Sequence, residues 1–328
     1  MQAPPDARIE AAPLVSVCVP TFNRVGYLRD CLDSVRAQTW SPIEIVVSDN
    51  CSTDGTREML RDMHDVRVLL QESNVGMVGN WNAVLGRAQG EYAVLLSDDD
   101  VLAPDFVATL VAALRDTAAE FAWSPVTIID SEGRPCGTSP AGPRIESGRS
   151  FVAATLAERR VLYPSAIVFR RAAFGEIGGF VDIGNLTDVA FRIALAERRP
   201  DARIACHPVP LVSYRIHASA LTGDPVRRIE GGLSFTAWLV ERYGRQTRVG
   251  RLALLNLLQL RAKGVALPAT ISSLVEAPAR GWFGLRLRWL ARASRPARAL
   301  VLAAFPLLTL QLLSRVVNHR IFHKRVVS

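Results

Sequence analysis

Short apolar runs alternate with helical patterns over residues 14–100, and this alternation predicts an α/β fold. Four runs have the length and the valine-rich composition of buried strands: 14–20, 43–48, 66–70 and 92–96. After the first run, Leu28, Leu32 and Val35 recur at the spacing of a helix. Strands that alternate with helices form right-handed βαβ units. The sequence therefore predicts a Rossmann-like, mostly parallel central sheet that is flanked by helices.

The pattern is weaker after residue 104, although further elements are still predicted. The sequence favours a helix over 106–114 and another from about 187 to 198. Strands are predicted over 121–129, 165–169, 203–207 and 211–216. Glycine and proline between residues 136 and 148 indicate a loop.

Charge divides the 328-residue chain into two regions of opposite sign. Residues 1–224 hold 21 Arg and no Lys against 28 acidic residues, a net charge of −7. Residues 225–328 hold 18 basic residues against three Glu, a net charge of +15. We therefore predict a flexible N-terminus over 1–13, a catalytic α/β domain over 14–224, and a helical, basic tail over 225–328.

The basic tail is predicted to bind an anionic membrane surface. A helix over 282–295 would carry tryptophans on one face and arginines on another, which is typical of a membrane interface. The uncharged stretch 299–314 would extend about 24 Å as a helix, less than the ~30 Å of a hydrocarbon core. A helical subdomain and a full span are the alternatives. No base-reading motif accompanies the charge, so a nucleic-acid partner is not expected.

The five cysteines and the N-terminus indicate a reducing compartment. The cysteines are odd in number and scattered, which predicts neither a disulfide framework nor a zinc site. Residues 1–13 are polar and lack the apolar region of a signal peptide. We expect a cytoplasmic protein that is peripheral on the inner face of the cell membrane.

Three consecutive carboxylates, Asp98, Asp99 and Asp100, end the fourth predicted strand. Adjacent carboxylates near a core repel one another unless a cation compensates their charge. Oxygen ligands suit Mg²⁺ or Mn²⁺, and ligands of open α/β sheets bind at the carboxyl ends of strands. The run therefore predicts a divalent metal site. The alternative is a solvated acidic turn that caps the helix starting near Pro104.

Several motifs occur in an order that resembles the family 2 glycosyltransferases with the GT-A fold. The resemblance covers roughly residues 14–220 and rests on the motifs Pro20-Thr21-Phe22-Asn23-Arg24, Val47-Ser48-Asp49-Asn50, Asn74-Val75-Gly76 with Asn82, Asp98-Asp99-Asp100, Gly178-Gly179-Phe180 with Asp188, and Tyr214-Arg215-Ile216-His217. It implies an inverting transfer of a sugar from a nucleotide-diphosphate donor to an acceptor hydroxyl. Surface polysaccharide or lipid-linked glycan synthesis is the expected setting.

The resemblance also implies donor-binding and metal-binding residues. Asp100 is the expected direct metal ligand, and Asp98 contacts the ribose or the metal. His217 completes the metal shell or contacts the diphosphate; the alternative is an ordinary surface or core histidine. The remaining residues expected to bind the nucleotide-sugar, a UDP-, dTDP- or GDP-sugar, are Pro20, Thr21, Asn23, Asp49 and Asp99. Because a carboxylate accepts hydrogen bonds, Asp49 is expected to bind a base N–H. Capping of a helix is the expected role of Asp54.

The family resemblance assigns the catalytic base to Asp188. An inverting transfer needs a base that takes the proton of the acceptor hydroxyl. The family often has an acidic pair here, whereas this chain has Thr187 before Asp188. The alternatives are that Asp188 only caps its own helix and that Asp182 is the base.

Other residues are assigned less specific roles by the sequence. Arg215 is expected to help neutralise phosphate, and aromatic residues such as Trp81, Trp123 and Phe180 line a sugar pocket or pack in the core. Two other functions stay open: a catalytically inactive GT-A binding scaffold and a sugar nucleotidyltransferase. The absence of a Gly-rich, basic phosphate loop near the N-terminus argues against the nucleotidyltransferase.

Overall fold

The computed structural model describes residues 11–157, 159–217, 225–244, 247 and 249. These residues divide into two compact units. The first unit contains the described residues up to Val181 and from Asp188 to 217, and the second contains Asp182–Thr187 and the described residues from 225 onward. The predictions for residues 1–10 and 251–328 lie outside the described residues.

The first unit is built from the following strands and helices. Its strands are β1 (Val15–Thr21), β2 (Ile43–Asp49), β3 (Val66–Leu70), β4 (Tyr92–Leu95), β5 (Val101–Leu102), β6 (Phe121–Trp123), β7 (Val126–Ile129), β8 (Pro135–Thr138), β9 (Ile145–Ser147), β10 (Ile167–Arg170), β11 (Arg203–Cys206) and β12 (Val212–Arg215). Its helices are α1 (Val25–Arg36), α2 (Thr56–Arg61), α3 (Gly76–Gly86), α4 (Phe106–Thr117), α5 (Gly148–Leu156), α6 (Arg171–Glu176) and α7 (Thr187–Ala196), whose first residue belongs to the second unit.

A mostly parallel sheet forms the centre of the first unit, as the sequence predicts. Its strand order is β3-β2-β1-β4-β10-β6-β11-β9, and β1 pairs in parallel with β2 and β4. Every residue of β1 is buried because strands flank it on both sides and helices cover its faces. Leu28, Leu32 and Val35 of α1 are buried in the same core. The fold class predicted from the sequence is confirmed.

The register of the parallel strands brings their carboxyl ends to one edge. Thr21 at the end of β1 lies opposite Asp49 at the end of β2. Leu95 ends β4 opposite Cys18 of β1, so the chain leaves β4 before β1 ends and crosses the edge as residues 96–100. This edge is where an open α/β sheet binds its ligands.

The later strands differ from the prediction in two places. The strand predicted over 121–129 is wrong, because β6 and β7 belong to different sheets and are separated by Ser124 and Pro125. A second sheet has the order β5-β12-β7-β8. The loop predicted over 136–148 is also wrong in part, because β8 and β9 lie within or overlap it. β8 pairs with the preceding strand β7 and β9 with the distant strand β11, and neither short strand has a periodicity of its own.

The second unit contains α8 (Pro225–Tyr243) and a short 3₁₀ turn over Gly184–Leu186. A Cβ built on Gly184 would lie 2.9 Å from the Cα of Gly231, and Gly184 has a φ of +77°. Glycine is therefore required at position 184 by both its backbone conformation and this close approach. None of the helices within the described ranges is long and apolar enough to cross a bilayer.

Candidate active site

Asp99 and His217 meet at the carboxyl edge of the sheet. The Oδ2 atom of Asp99 and the Nε2 atom of His217 are 2.9 Å apart, and their side chains are 17% and 4% exposed. Asp99 follows β4, and His217 lies two residues after the end of β12. The two atoms share a hydrogen bond at this distance, so a cation would take the place of the shared proton. A carboxylate oxygen beside an imidazole nitrogen is a donor pair that suits a divalent ion such as Mn²⁺.

Asp100 points into the protein. Its side chain is fully buried, the Ser165 hydroxyl donates to Oδ2, and the Arg215 backbone N–H donates to Oδ1 over 3.0 Å. Burial and the neighbouring charge of Asp99 raise the pKa of Asp100 well above its usual range. Because both oxygens already accept protein hydrogen bonds, the geometry gives Asp100 the role of fixing the acidic loop, and Asp99 the outward-facing role.

Asp98 is also buried. The Phe22 N–H lies 3.4 Å from Oδ2, a long contact. Burial, followed by the charge of Asp99, raises the pKa of Asp98 to about 7, and the Thr21 side chain, the charge of Arg24 and the Phe22 N–H oppose this rise. In the absence of a ligand, the acidic loop therefore holds negative charge at a cost in free energy. A cation at this edge would relieve that cost.

Arg215 holds the acidic loop in place and does not face solvent. Its side chain is 6% exposed, and its Nε donates to the Asp99 carbonyl oxygen over 3.0 Å. Its Nη1 donates to the Ser131 carbonyl oxygen over 3.2 Å, and its guanidinium lies 4.9 Å from the ring centroid of Tyr27. These contacts join the end of β12 to the acidic loop. They explain how His217 is brought to Asp99, and they leave little of Arg215 for the phosphate contact that the sequence suggested.

Asp49 lies at the end of β2 with one oxygen occupied. Its Oδ2 accepts from Arg57 Nε over 2.7 Å and from the Ser52 N–H over 3.1 Å. Its Oδ1 is buried and has no hydrogen-bond partner among the described residues. A buried carboxylate oxygen without a donor is costly, and the N–H group of a nucleobase would satisfy it.

The residues that follow β1 form a polar loop with those that follow β2. Asn23 has a φ of +54°; its N–H donates to Ser52 Oγ, and its Oδ1 accepts from the Thr53 N–H, each over 2.8 Å. Pro20 and Thr21 are buried in β1. Asn23 therefore shapes the loop through its own side chain, while Pro20 and Thr21 place the loop at the sheet edge.

Asp54 caps helices, as the sequence predicts. Its carboxylate accepts from the N–H of Thr56, the first residue of α2, over 3.1 Å. It also accepts from the N–H of Val25, the first residue of α1, over 3.0 Å. Both donors belong to first turns, whose N–H groups have no partner within the helix. One carboxylate thus serves two helices that begin at the carboxyl edge.

Asp188 lies in the first turn of α7 beside an apolar cavity. Its Oδ2 is 2.6 Å from Nη1 of Arg192. The cavity has a volume of about 10 Å³ and is also lined by Leu95, Pro164, Ile167, Phe169, Phe180 and Phe191. Leu95 ends β4, and Pro164 precedes the Ser165 that binds Asp100. Asp188 is therefore at the same edge of the sheet as the acidic loop.

Thr187, which stands where the family often has the first acid of a pair, has a structural contact. Its hydroxyl donates to the Gly184 carbonyl oxygen.

Asp182, the alternative base, holds a turn in the second unit. Its Oδ1 accepts from the Gly184 N–H over 3.2 Å, a bond between residues two apart. Such a bond is the usual local use of an aspartate in a turn.

Asn82 fixes the backbone of Phe180. Its Oδ1 accepts from the Phe180 N–H, and its Nδ2 donates to the Phe180 carbonyl oxygen, each over 2.9 Å. A Cβ on Gly179 would lie 2.8 Å from Asn82 Oδ1, so the close approach requires glycine. Trp81 packs edge-on against Phe180, whereas Trp123 is 1% exposed and belongs to the core. Asn82 thus holds the backbone of this loop in place.

The structure brings to the site two residues that the sequence did not indicate. Ser165 binds Asp100 from 65 positions away, and Arg57 binds Asp49 from the following helix. No local pattern indicates either contact. The partnership of Arg192 with Asp188 was open to prediction, because residues four apart lie on the same face of a helix. Within the described part of the chain, no three or more His, Cys, Asp or Glu side chains form a ready-made metal cage.

Comparison with known proteins identifies the family to which this chain belongs. The model of the family described as glycosyl transferase family 2 matches residues 16–178, which include β1–β4 and the acidic loop. The chain belongs to this family, and its fold is the GT-A fold.

The relatives with similar sequences are bacterial glycosyltransferases. The chain is 32% identical over 127 residues to a putative teichuronic acid biosynthesis glycosyltransferase, TuaG, of Bacillus subtilis, which is 38% of this chain and 50% of that protein. It is 38% identical over 104 residues to a GalNAc(5)-diNAcBac-PP-undecaprenol beta-1,3-glucosyltransferase of Campylobacter jejuni, covering 30% of this chain and 34% of the relative. The chain spans about half, or less, of the length of these relatives.

Solved structures support the fold. S. aureus TarS 1–349 in complex with UDP-GlcNAc superposes with a TM-score of 0.55 at 18% identity, covering 85% of this chain and 87% of that one. The mannosyltransferase PcManGT of Pyrobaculum calidifontis, in complex with GDP-Man and Mn²⁺, gives a TM-score of 0.54 at 20% identity, covering 93% and 86%. At these identities the likeness concerns the fold alone.

Proposed function

We propose that this chain transfers a sugar from a nucleotide-diphosphate donor to an acceptor hydroxyl, with inversion at the anomeric carbon. The observation that carries the proposal is the approach of Asp99 Oδ2 to His217 Nε2 at the carboxyl edge of the sheet. The edge is rich in carboxylates, so it requires a cation before it can accept a diphosphate. The solved neighbours named above contain UDP-GlcNAc and GDP-Man with Mn²⁺.

Donor binding is proposed to use the first half of the sheet edge. Asp49 Oδ1 accepts a base N–H, which uracil, thymine and guanine all offer, while Arg57 holds Oδ2. Asp98 contacts the ribose, and Asp99 with His217 holds Mn²⁺ or Mg²⁺. When bound, the divalent ion supplies positive charge that stabilises the leaving nucleoside diphosphate. This proposal exchanges the roles that the sequence gave to Asp99 and Asp100.

The chemical step is proposed to use Asp188. The acceptor oxygen forms a bond to the anomeric carbon on the face opposite the diphosphate, and its proton passes to the Asp188 carboxylate. The bond from the anomeric carbon to the phosphate oxygen breaks, and the nucleoside diphosphate leaves with the electron pair. A base on the opposite face from the leaving group is what inversion requires.

The acceptor is proposed to be a surface polysaccharide or a lipid-linked glycan at the inner face of the cell membrane. The +15 charge of residues 225–328 favours an anionic lipid surface, and the Campylobacter relative is named for an undecaprenol-linked acceptor. In a flotation assay with anionic vesicles, removal of residues 280–328 is expected to shift the protein from the floating vesicle fraction to the bottom fraction. Unchanged vesicle binding by the truncated protein would remove the membrane part of the proposal.

A donor screen tests the function. The full chain is incubated with UDP-, dTDP- and GDP-sugars, Mn²⁺ and a panel of polyprenyl-diphosphate-linked and polysaccharide acceptors, and released nucleotide is measured. We expect release of a nucleoside diphosphate with one class of donor, and retention of that rate in the control Asp116→Asn, an exposed carboxylate on α4. In a parallel reaction with a nucleoside triphosphate and a sugar 1-phosphate, release of pyrophosphate would indicate a nucleotidyltransferase instead. Nucleotide binding without release in any reaction would indicate a binding scaffold.

A further inference from the structure

Arg192 is a buried cation one helical turn after Asp188. Its side chain is 5% exposed, and its Nη1 lies 2.6 Å from Asp188 Oδ2. Both residues belong to α7 and line the apolar cavity described above, where they are the only titratable residues of the lining. The charge of the Asp188 carboxylate is therefore compensated chiefly by one guanidinium, in surroundings that amplify electrostatic interactions.

The pair contributes little to holding distant parts of the fold together. The buried pair of Arg198 with Glu120 links segments that are 78 positions apart, and the pair of Arg160 with Glu146 links segments 14 apart. Arg192 and Asp188 are four residues apart on one helix, so their contact joins neighbouring turns of α7 only. A role confined to stability would not need a buried cation here, because burying a charge is itself costly.

The bonding of Arg192 is also incomplete. Its Nε is buried and has no hydrogen-bond partner among the described residues. The ion pair with Asp188 is made by Nη1, which donates to Oδ2 of the carboxylate. The guanidinium therefore engages one carboxylate oxygen of Asp188, Oδ2.

We propose that Arg192 is a positioning residue for the base: it fixes the Asp188 carboxylate through Oδ2 so that Oδ1 faces the acceptor hydroxyl. The inference rests on the role of Asp188 in the proposed function. In the step, the acceptor O–H proton moves to Asp188 Oδ1, and Arg192 keeps its own protons and charge throughout.

The test compares Arg192→Met, Arg192→Lys and a control, Arg61→Met. Arg61 lies on the surface of α2 and pairs with Glu58 three residues earlier. The donor and acceptor are those that the nucleotide-release screen identifies. For Arg192→Met we expect kcat to fall at least about 10-fold with the donor KM unchanged, because the Asp188 carboxylate loses the contact that orients it.

Arg192→Lys keeps the charge and lacks the planar fork, so it is expected to recover part of kcat. Arg61→Met is expected to behave as the parent protein. Circular dichroism melts of each variant measure the folded fraction, and Arg192→Lys serves as the folded test case if the Met variant does not fold. A kcat per folded Arg192→Met protein that equals the parent value, or, if that variant does not fold, a kcat per folded Arg192→Lys protein that equals it, would overturn the positioning role.

Asp188→Asn distinguishes the two levels of the account. If Asp188→Asn is inactive and the Arg192 variants behave as the control, the base assignment stands and the role of Arg192 fails. If Asp188→Asn remains active, the base assignment itself fails, and the inference about Arg192 fails with it.

Discussion

The two halves of the first unit handle charge in opposite ways. The first half, residues 11–102, is the donor half of the proposed function. It crowds Asp49, Asp98, Asp99 and Asp100 at one sheet edge, where backbone N–H groups, a hydroxyl and one guanidinium hold Asp49 and Asp100. The second half, residues 103–181 and 188–217, is the acceptor half of the same proposal; it surrounds Asp188 with apolar side chains and supplies one guanidinium. The second half also contributes Ser165, Arg215 and His217 to the first site.

This difference separates binding from chemistry. A group of carboxylates acts on a diphosphate only through a cation, so its effect is on donor affinity. A single carboxylate in an apolar cavity, with one oxygen held, is suited to taking one proton. Substitutions in the donor half are therefore expected to change binding constants, and substitutions around Asp188 are expected to change kcat.

The largest expected effect is that of Asp188→Asn. An amide cannot take the acceptor proton, so transfer is expected to fall by about 10²–10⁴-fold. Donor affinity, measured by isothermal titration with the nucleotide and Mn²⁺, is expected to stay within about 2-fold of the parent protein, because the substitution lies outside the donor half. A matching loss of donor affinity would contradict the division between the two halves.

Asp99→Asn and His217→Ala are expected to act next most strongly, and on binding. Each removes one of the two atoms that are 2.9 Å apart, so the gain in nucleotide affinity that Mn²⁺ provides is expected to fall at least about 10-fold. Titrations with and without Mn²⁺ measure that gain directly. Asp116→Asn again serves as the control, and an Mn²⁺ effect that survives in both site variants would place the ion elsewhere.

The smallest expected effect is a pH-dependent gain in stability on replacing Asp98 by Asn. The folded protein raises the pKa of Asp98 to about 7, above the value of an exposed aspartate, so folding favours the protonated acid. The cost of the ionised form therefore develops as the pH rises from about 4 to 7 and is complete above that range. In metal-free buffer, Asp98→Asn is expected to raise the free energy of unfolding by about 1–2 kcal/mol at pH 8.

At pH 4 the same substitution is expected to change stability little, because the acid is protonated in the folded protein and still about half protonated in the unfolded protein. Chemical denaturation at the two pH values gives the comparison. Equal effects at pH 4 and pH 8 would show that the carboxylate charge is not what the substitution removes.

The two halves also differ in how far the sequence predicts them. The boundaries of β1–β4 fall within about one residue of the apolar runs, because buried parallel strands consist almost entirely of apolar residues. The edge that carries Asp49 and Asp98 follows from this. In the acceptor half, β8 and β9 are short and largely exposed, and Pro125 separates β6 from β7. These strands depend on their partners, which a local pattern does not reveal.

Within the site, the sequence identifies residue types and does not fix their directions. Asp99 and Asp100 are neighbours of identical chemistry, and only the fold turns Asp100 toward Ser165 and Asp99 toward His217. The same limit applies to Arg215, which carries the charge expected of a phosphate ligand but is buried against backbone carbonyl groups. Arg192 is different, since its spacing from Asp188 on a helix was visible in the sequence.

The most direct test of the central claim is a crystal structure of the full chain with Mn²⁺ and the nucleoside diphosphate identified by the donor screen, with the ion located by its anomalous scattering. We predict one Mn²⁺ within about 2.0–2.3 Å of both Asp99 Oδ2 and His217 Nε2. We also predict that Asp100 keeps its hydrogen bonds to Ser165 and Arg215. An ion bound by Asp100, or a diphosphate bound with neither Asp99 nor His217 at the metal, would contradict the claim.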